Sequence, residues 1–321
     1  MTLLDLKDKK ILYELDLDSR QPISKIGKKV GLPKTSVAYH IKKMQEIGLI
    51  RHFYTVIDAY KLGYTSVRIY LTFQYASLEK RNEILQYFID NKYTYWIGAI
   101  EGPYDLVVIM WIRELFEFHQ FWKKTLMQYR DYFQEERFSI YLQLLHFPNS
   151  YLLEGISLEN RTTFEKIGGR QRIEVDDLDL KILHALSTDA RIPLLTLAAE
   201  TQTSAATVSK RIKQLKEKGV IQGFRTDIDI AKIGYKQFKV DIDFREYGKI
   251  DAVTQYIRRN PHLIYITVTA GHADLELSFR FSSVAQVGEV MDDLYRKFPN
   301  VIRSYHYFYV TKIHKLQYMP Q

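Results

Sequence analysis

The sequence contains no cysteine, and this absence removes several classes of site at once. Disulfides, thiol catalysis, iron–sulfur clusters and cysteine-ligated zinc are all excluded. The longest apolar run, Leu106–Ile112, is far shorter than the roughly 20 residues that a helix needs to span a bilayer. Met1–Asp5 also lacks the basic and apolar regions of a signal peptide. We therefore expect a soluble, cytoplasmic protein.

The signatures of common catalytic and nucleotide-binding sites are missing as well. There is no Gly-x-Ser-x-Gly, no Gly-x-x-x-x-Gly-Lys-Ser/Thr and no dinucleotide fingerprint. The nine histidines are scattered, and none forms a His-x-x-x-His pair backed by carboxylates. We expect no metal, no cofactor and no catalytic residues, and hence a protein that is not an enzyme.

What the chain does have is positive charge. Its 321 residues carry a net charge of +8 with a pI near 9.2, which favours a polyanionic partner. With 46% apolar residues and no low-complexity block, the chain can fill the cores of about two to four domains.

A tandem duplication organises these domains. Placing Leu4–Tyr64 over Val175–Tyr235 without a gap gives 22 identities in 61 positions. The match continues more weakly to Gly102–Asp105, which aligns with Gly271–Asp274. The chain therefore consists of a first half and a second half of the same design, with a connector predicted at residues 149–174.

Each half opens with a pattern of three short helices. In the first half, Pro22 can begin the second helix, and Thr35 or Ser36 can cap the third. Gly48 can end that helix, and residues 49–58 then predict a β-hairpin, or wing. The second half repeats the pattern. The two segments, residues 1–64 and 175–235, are predicted winged helix-turn-helix domains.

After Tyr64 the apolar period changes from helical to strand-like. The predicted elements follow the order β-α-β-β-α-β, which indicates a ferredoxin-like domain at 65–148 and again at 236–321. In the first half they are Ser66–Tyr75, Leu78–Asp90, Tyr95–Glu101, Leu106–Ile112, Glu114–Tyr129 and Arg137–Leu145. In the second they are Phe238–Phe244, Ile250–Arg259, Leu263–Ala270, Leu275–Phe281, Ser283–Phe298 and Val301–Thr311. The predicted fold class is α+β, with two winged helix-turn-helix domains alternating with two ferredoxin-like domains.

This arrangement resembles the Lrp/AsnC, or feast/famine, family of transcriptional regulators. The residues that carry the resemblance are the opening run Leu4–Leu12, the helix Ser36–Met44, Gly48-Leu49-Ile50 and the Gly-x-x-Asp of the second domain. In the second half they are Thr207–Ile212 and Gly219–Phe224. The family's usual chain carries one such unit, whereas this chain carries two. The resemblance implies double-stranded DNA as partner and either a homo-oligomer or an intrachain pseudo-dimer.

The recognition helix of a helix-turn-helix places its N-terminal residues against base edges, and neighbouring groups contact phosphates. The predicted DNA-binding residues of the first half are Lys25, Lys28, Lys34, Thr35, Ser36, Tyr39, His40 and Lys43. Those of the second half are Ala205, Thr207, Ser209, Lys210, Arg211 and Gln214. A solvated helix face with no DNA contact is the plainer alternative.

The two winged helix-turn-helix domains, residues 1–64 and 175–235, are called the first and second reading heads below, and they differ in charge. Met1–Tyr64 holds twelve Lys and Arg against seven Asp and Glu, whereas Val175–Tyr235 holds nine against eight. We predict that the heads read different half-sites, or that the first supplies most of the phosphate attraction.

The hairpins Gly102–Asp105 and Gly271–Asp274 are candidates for an effector site. The resemblance implies that this loop lies where sensing domains meet and where amino-acid-like effectors bind. The predicted effector-binding residues are Gly102, Tyr104, Asp105, Gly271, His272 and Asp274. The plainer interpretation is a tight turn in which each aspartate hydrogen-bonds its own backbone.

The leading functional prediction is a sequence-specific DNA-binding transcription regulator, prokaryotic and nucleoid-associated, tuned by a small effector or by assembly state. One alternative is a siroheme decarboxylase, because those enzymes resemble this family in both domains. Against it, Asn91–Trp96 lacks the histidine and arginine of their motif, although His262 stands alone in the second half. The other alternative is nucleoid packaging without strong sequence choice.

Overall fold

A computed structural model of the protein describes residues 4–156, 158, 163–168 and 172–320. The first half contains α1 (Leu6–Leu17), α2 (Ile23–Val30), α3 (Lys34–Glu46), β1 (Ile50–Ile57), β2 (Thr65–Phe73), α4 (Leu78–Asp90), β3 (Thr94–Glu101), β4 (Leu106–Ile112), α5 (Leu115–Tyr129) and β5 (Phe133–His146). The short strand β6 (Phe164–Ile167) follows within the predicted connector, part of which (157, 159–162 and 169–171) lies outside the described residues.

The second half repeats the order. It contains α6 (Asp177–Thr188), α7 (Leu194–Glu200), α8 (Ala205–Glu217), β7 (Ile221–Ile228), β8 (Lys236–Phe244), α9 (Ile250–Ile257), β9 (Leu263–Ala270), β10 (Leu275–Phe281), α10 (Ala285–Lys297) and β11 (Ile302–Leu316). Three helices and one strand are therefore followed by β-α-β-β-α-β in both halves, as the sequence predicts.

The helices of the reading heads begin and end at specific signals. Asp5 caps α1, because its carboxylate accepts the backbone N–H of Asp8 over 2.7 Å. Pro33 occupies the N-cap of α3, so the predicted cap by Thr35 or Ser36 is wrong and both residues lie inside the first turn. Gly48 has a φ of +66° and follows the end of α3, as expected of a helix-terminating glycine.

The hairpin expected at residues 49–58 does not form. This segment is the single strand β1, and its partner is β7, the equivalent strand of the second half. The pair is antiparallel and joins Ile50 to Ile228 and Ile57 to Ile221. The expectation failed because the segment pairs with its own duplicate, which a search for local turns does not reveal. The two reading heads consequently share one hydrophobic core.

The two ferredoxin-like domains also pair within the chain. Each contributes four strands, ordered β5-β2-β4-β3 in the first half and β11-β8-β10-β9 in the second. Strand β3 pairs with β11 and β9 pairs with β5, so eight strands close into one continuous sheet, and β6 adds to β5. Separate apolar cores lie in the two domains, and a third, rich in aromatic rings, includes residues of both halves. The intrachain pairing considered from the sequence is what the fold contains.

Candidate nucleic-acid interface

Helix α3 presents one face to the shared core and the other to solvent. Val37, Ile41 and Met44 are buried, whereas Lys34, Thr35 and Lys43 are exposed. Tyr39 is a large aromatic residue that is nevertheless 65% exposed. Its ring meets that of His40 edge-on, with centroids 5.8 Å apart, and the rest of the side chain lies between exposed lysines, where it can contact a groove.

The lysines of the first head fall into two groups. Among the described residues, Lys25, Lys28, Lys34 and Lys43 of α2 and α3 are exposed and make no salt bridge, whereas on α7 and α8 of the second head this holds for Lys210 and Lys216. Other lysines on the same helices are neutralised: Lys29 pairs with Glu14, Lys42 with Glu46 and Lys213 with Glu217. Uncompensated positive charge is therefore concentrated on the first head.

The second recognition helix, α8, is organised differently. Ser209 and Lys210 are exposed, whereas Ala205 packs partly against the shared core and Gln214 is half-buried. Ser204 caps the helix by accepting the backbone N–H of Thr207 over 3.1 Å, and its hydroxyl also lies 2.9 Å from the Thr207 hydroxyl. Thr207 is thus engaged at the helix terminus.

Two predicted DNA contacts turn inward. His40 places Nδ1 2.7 Å from the carboxylate of Asp8 on α1. At the equivalent position of the second half, Arg211 lies 2.8 Å from Asp176 and 3.4 Å from Asp179. Both residues tie a recognition helix to the first helix of its own head, a positioning role that the spacing of outward residues does not reveal.

Reciprocal contacts hold the two heads in one orientation. The Arg20 guanidinium donates to the carbonyl oxygen of Ala190 over 2.6 Å, and the equivalent Arg191 donates to Ser19 over 2.5 Å. Behind these, Thr55 donates to the carbonyl oxygen of Leu186, and the duplicate Thr226 donates to that of Leu15. These contacts between equivalent residues make the spacing of α3 and α8 a property of the fold rather than of a flexible linker.

The two candidate effector hairpins each approach a strand of the other half. Gly102 and Gly271 have φ values of +150° and +115°. A Cβ on Gly102 would lie 2.6 Å from the Cβ of Phe308, and one on Gly271 would lie 2.7 Å from the carbonyl oxygen of Phe138. Glycine is therefore needed at both hairpins for the halves to pair.

The aspartates of these hairpins support their own domains. Asp105 accepts the backbone N–H of Phe73 over 2.7 Å, and Asp274 accepts that of Phe244 over 2.8 Å. Each carboxylate thus anchors the end of the first strand of its ferredoxin-like domain. These hydrogen bonds reach the ends of neighbouring strands and not the backbone of the hairpin itself, so they differ from the contacts that the turn interpretation expects.

Tyr104 and His272 meet between the halves. Their ring centroids are 5.7 Å apart, and both rings lie against Tyr70, at 4.9 Å and 4.4 Å. His272 Nε2 is 3.1 Å from Asp241, and burial raises the pKa of Tyr104 to about 12. The structure therefore brings together two of the six predicted effector residues, one from each half.

Beside them lies a buried ionic network that the sequence analysis missed. Glu276 is fully buried and contacts Arg68 of the first half and Lys239 of the second. The hydroxyls of Tyr70 and Ser139 also donate to it, each over 3.1 Å. The one available signal was a glutamate in the strand Leu275–Phe281, at the position where the wholly apolar first-half counterpart has Val107.

The part of the chain that the structure describes lacks two other features. It holds no group of three or more His, Asp or Glu side chains placed to bind a metal ion. It also has no helix long and apolar enough to cross a membrane.

Known proteins resemble the chain both in the reading heads and as a whole. A family model described as an AsnC-type helix-turn-helix domain matches residues 175–216, and one described as winged helix-turn-helix DNA-binding matches residues 4–51. The HTH-type transcriptional regulator FL11 of Pyrococcus horikoshii is 28% identical over 144 residues, covering 45% of this chain and 94% of that protein. An uncharacterized HTH-type transcriptional regulator of Pyrococcus furiosus is 33% identical over 112 residues, covering 35% of this chain and 75% of its own length.

Solved structures of one enzyme match nearly the whole chain. The siroheme decarboxylase NirDL, in co-complex with an iron-uroporphyrin III analogue, has a TM-score of 0.65 at 15% identity and covers 98% of this chain and 94% of its own. At that identity the likeness shows a shared fold and not a shared activity.

Proposed function

Because the chain belongs to the Lrp/AsnC family of transcriptional regulators, we propose that it reads a two-part DNA site with α3 and α8 held at a constant spacing. Two observations carry the proposal. Reciprocal hydrogen bonds from Arg20 and Arg191 hold the two heads in one orientation. The recognition helices also expose Lys34, Lys43 and Lys210, which have no salt-bridge partner among the described residues. The positive charge of this surface is complementary to the negative phosphate backbone. The shared core keeps the distance between α3 and α8 constant, so that each helix can enter a major groove.

The two heads contribute unequally in this proposal. The first head supplies most of the phosphate attraction through Lys25, Lys28, Lys34 and Lys43. The second head adds Lys210, with Ser209 as a donor or acceptor for a base edge. Because these side chains differ, the two half-sites should differ in sequence. As a DNA-binding regulator, the protein would act at the nucleoid.

Effector binding at the two hairpins stays a prediction. Their glycines and aspartates are engaged in pairing the halves and anchoring strands, so any effector there would act by altering that pairing. An enzyme of the siroheme decarboxylase type is the second candidate, supported by the shared fold of the whole chain. Titration with a tetrapyrrole, followed by its absorption band, tests that candidate directly.

The decisive experiment is in vitro selection from random duplex DNA, followed by affinity measurements at several salt concentrations. An asymmetric two-part motif with a steep salt dependence is expected. Lengthening the spacer between half-sites by about 5 base pairs, half a helical turn, should then abolish tight binding, because the heads cannot rotate relative to each other. Tight binding without sequence enrichment would instead indicate DNA packaging.

A further inference from the structure

One cavity distinguishes the two halves. It has a volume of about 140 Å³ and lies where the first reading head meets its ferredoxin-like domain. Three aromatic residues line it, Tyr64, Tyr93 and Trp111. Drug-sized ligands occupy pockets of roughly 300–1,000 Å³, so this one suits a molecule of about one aromatic ring.

The walls of the cavity are held in place by defined contacts. The backbone N–H of Trp111 donates to the carbonyl oxygen of Tyr93 over 2.8 Å, and the Trp111 ring stacks on Tyr95 with centroids 3.8 Å apart. Arg113 donates to the Tyr64 hydroxyl over 3.0 Å, which joins the end of β4 to the start of β2. The aromatic surface is therefore preorganised rather than formed by loose side chains.

The charge at the cavity is positive. Lys92 and Arg113 both line it, and neither forms a salt bridge with any carboxylate in the described part of the chain. The carboxylate of Glu117 also lines the cavity, but one of its oxygens accepts the backbone N–H of Arg113 over 3.0 Å and that of Glu114 over 3.4 Å. An anion would therefore meet two cations and one carboxylate already engaged at a helix terminus.

The equivalent region of the second half shows which kind of chemical group can fill such a cavity. At the positions of Tyr64, Tyr93 and Trp111 it has Tyr235, His262 and Arg280. The correspondence is structural, because the backbone N–H of Arg280 donates to the carbonyl oxygen of His262 just as that of Trp111 donates to Tyr93.

In that half the space is filled by the chain's own Tyr151. Its ring lies 4.6 Å from that of Tyr235 and nearly parallel to that of His262 at 5.9 Å. Its hydroxyl accepts a hydrogen bond from Arg280 over 3.3 Å. An aromatic ring with a polar group directed at an arginine is thus the occupant in the second half, whereas the first half presents Pro320 at the cavity wall.

We propose that the cavity of the first half binds a small aromatic carboxylate. The ring would lie among Tyr64, Tyr93 and Trp111, and the carboxylate would pair with Arg113 and Lys92. Binding does not depend on the proposed DNA-reading function, but its regulatory consequence does. That consequence would pass through Tyr64, which also packs against the shared core of the reading heads.

The test is direct titration of the full chain, without DNA, by calorimetry and tryptophan fluorescence. The probes are benzoate, 4-hydroxybenzoate and phenylpyruvate, with benzamide as the uncharged counterpart of benzoate. We expect one binding site per chain despite the duplication, a change in fluorescence because Trp111 lines the cavity, and benzamide at least about tenfold weaker than benzoate, as the loss of a charge-assisted contact predicts.

A pair of matched variants tests whether the ligands bind in this cavity. Arg113→Gln should weaken binding by at least about tenfold, whereas Arg296→Gln, which removes an exposed arginine on α10, should leave it unchanged. Failure of all three carboxylates to bind, equal binding of benzamide, or unchanged binding by Arg113→Gln would each overturn the proposal. Because no DNA is present, these results are separate from the outcome of the DNA selection.

Discussion

Lys61 of the first half donates its Nζ to the carbonyl oxygen of Lys218, at the C-terminal end of the second recognition helix, over 2.6 Å. The equivalent Lys232 donates to the carbonyl oxygen of Ile47, at the end of the first recognition helix, over 2.7 Å. Each recognition helix is therefore capped by a cation from the other half, where the helix dipole is negative.

Removing both caps should loosen both heads. The double variant Lys61→Met and Lys232→Met is expected to lower the free energy of unfolding by about 1–2 kcal/mol, the sum of two helix-terminal cation contacts. Urea denaturation measures this loss, and Lys123→Met, an exposed lysine on α5, is the control. A double variant as stable as the control would mean that the caps contribute nothing.

The unequal division of positive charge predicts unequal salt dependence. Lys34→Ala with Lys43→Ala should lower the slope of log affinity against log salt by about 2, and Lys210→Ala by about 1, because each lysine displaces about one counterion. The double change Lys123→Ala and Lys124→Ala on α5 removes the same charge away from the heads and should leave the slope almost unchanged. Equal slopes for all variants would contradict the assignment of the recognition helices.

Arg211 and His40 are expected to position helices rather than to read bases. Arg211→Ala should lower the free energy of unfolding by about 1–3 kcal/mol, because Asp179 is buried and loses a partner. Arg211→His, which installs the residue that the first half uses at this position, should restore much of the stability. Sequence preference measured by selection should stay the same in the histidine variant, and a changed preference would show a direct base contact.

The buried network around Glu276 predicts a dependence of stability on pH. Burial by itself would raise the pKa of Glu276, but the charges of Arg68 and Lys239 outweigh it and lower that pKa from 4.5 to about 2. Since the carboxylate is stabilised in the folded state, its contribution is complete above pH 4.5 and is lost as the pH falls towards 2. Denaturation at a series of pH values should show stability decreasing through that window.

Replacing the carboxylate of Glu276 should lower stability and weaken its dependence on pH. Glu276→Gln should lower the free energy of unfolding at neutral pH by about 3–5 kcal/mol, because two cations stay buried without their partner. The variant should also lose part of the pH dependence below 4.5, which Glu289→Gln on the exposed face of α10 should keep. If Glu276→Gln is as stable as the parent, the network does not hold the halves together.

The close approach of the hairpins predicts a strong penalty for one methyl group. Gly102→Ala and Gly271→Ala should each lower the free energy of unfolding by about 1–3 kcal/mol through steric overlap and positive φ. Gly288→Ala, near the start of α10 and with no atom within 4 Å of the added carbon, should be neutral or stabilising. Thermal unfolding of the three variants measures the difference.

Local patterns in the sequence were sufficient for the order of the elements. Leu106–Ile112, Leu263–Ala270 and Leu78–Asp90 form with the predicted ends, because apolar period and capping residues act within a few positions. Two other ends shifted. β5 begins at Phe133, four residues before the predicted Arg137, because it pairs along β2 of its own half. β11 continues to Leu316, because it extends along β3 of the other half.

Candidate site residues were harder to predict than the elements that carry them. The exposed positions of Lys34, Lys43 and Lys210 follow from helical period alone. The inward turn of His40 and Arg211 does not, because it depends on carboxylates on the neighbouring helices α1 and α6. The same limit applies to the cavity beside Trp111, whose walls come from distant parts of the chain.

By itself, the sequence determined the duplication, the helix-turn-helix heads and the β-α-β-β-α-β order, since these rest on repeats and short-range periods. Only the tertiary structure decided that β1 pairs with β7 and that the two sheets close into one. It also decided that Arg68, on the face of β2 opposite its apolar residues, is buried against Glu276. Such pairings depend on which surfaces of the two halves complement each other, and that complementarity exists only once both halves are folded.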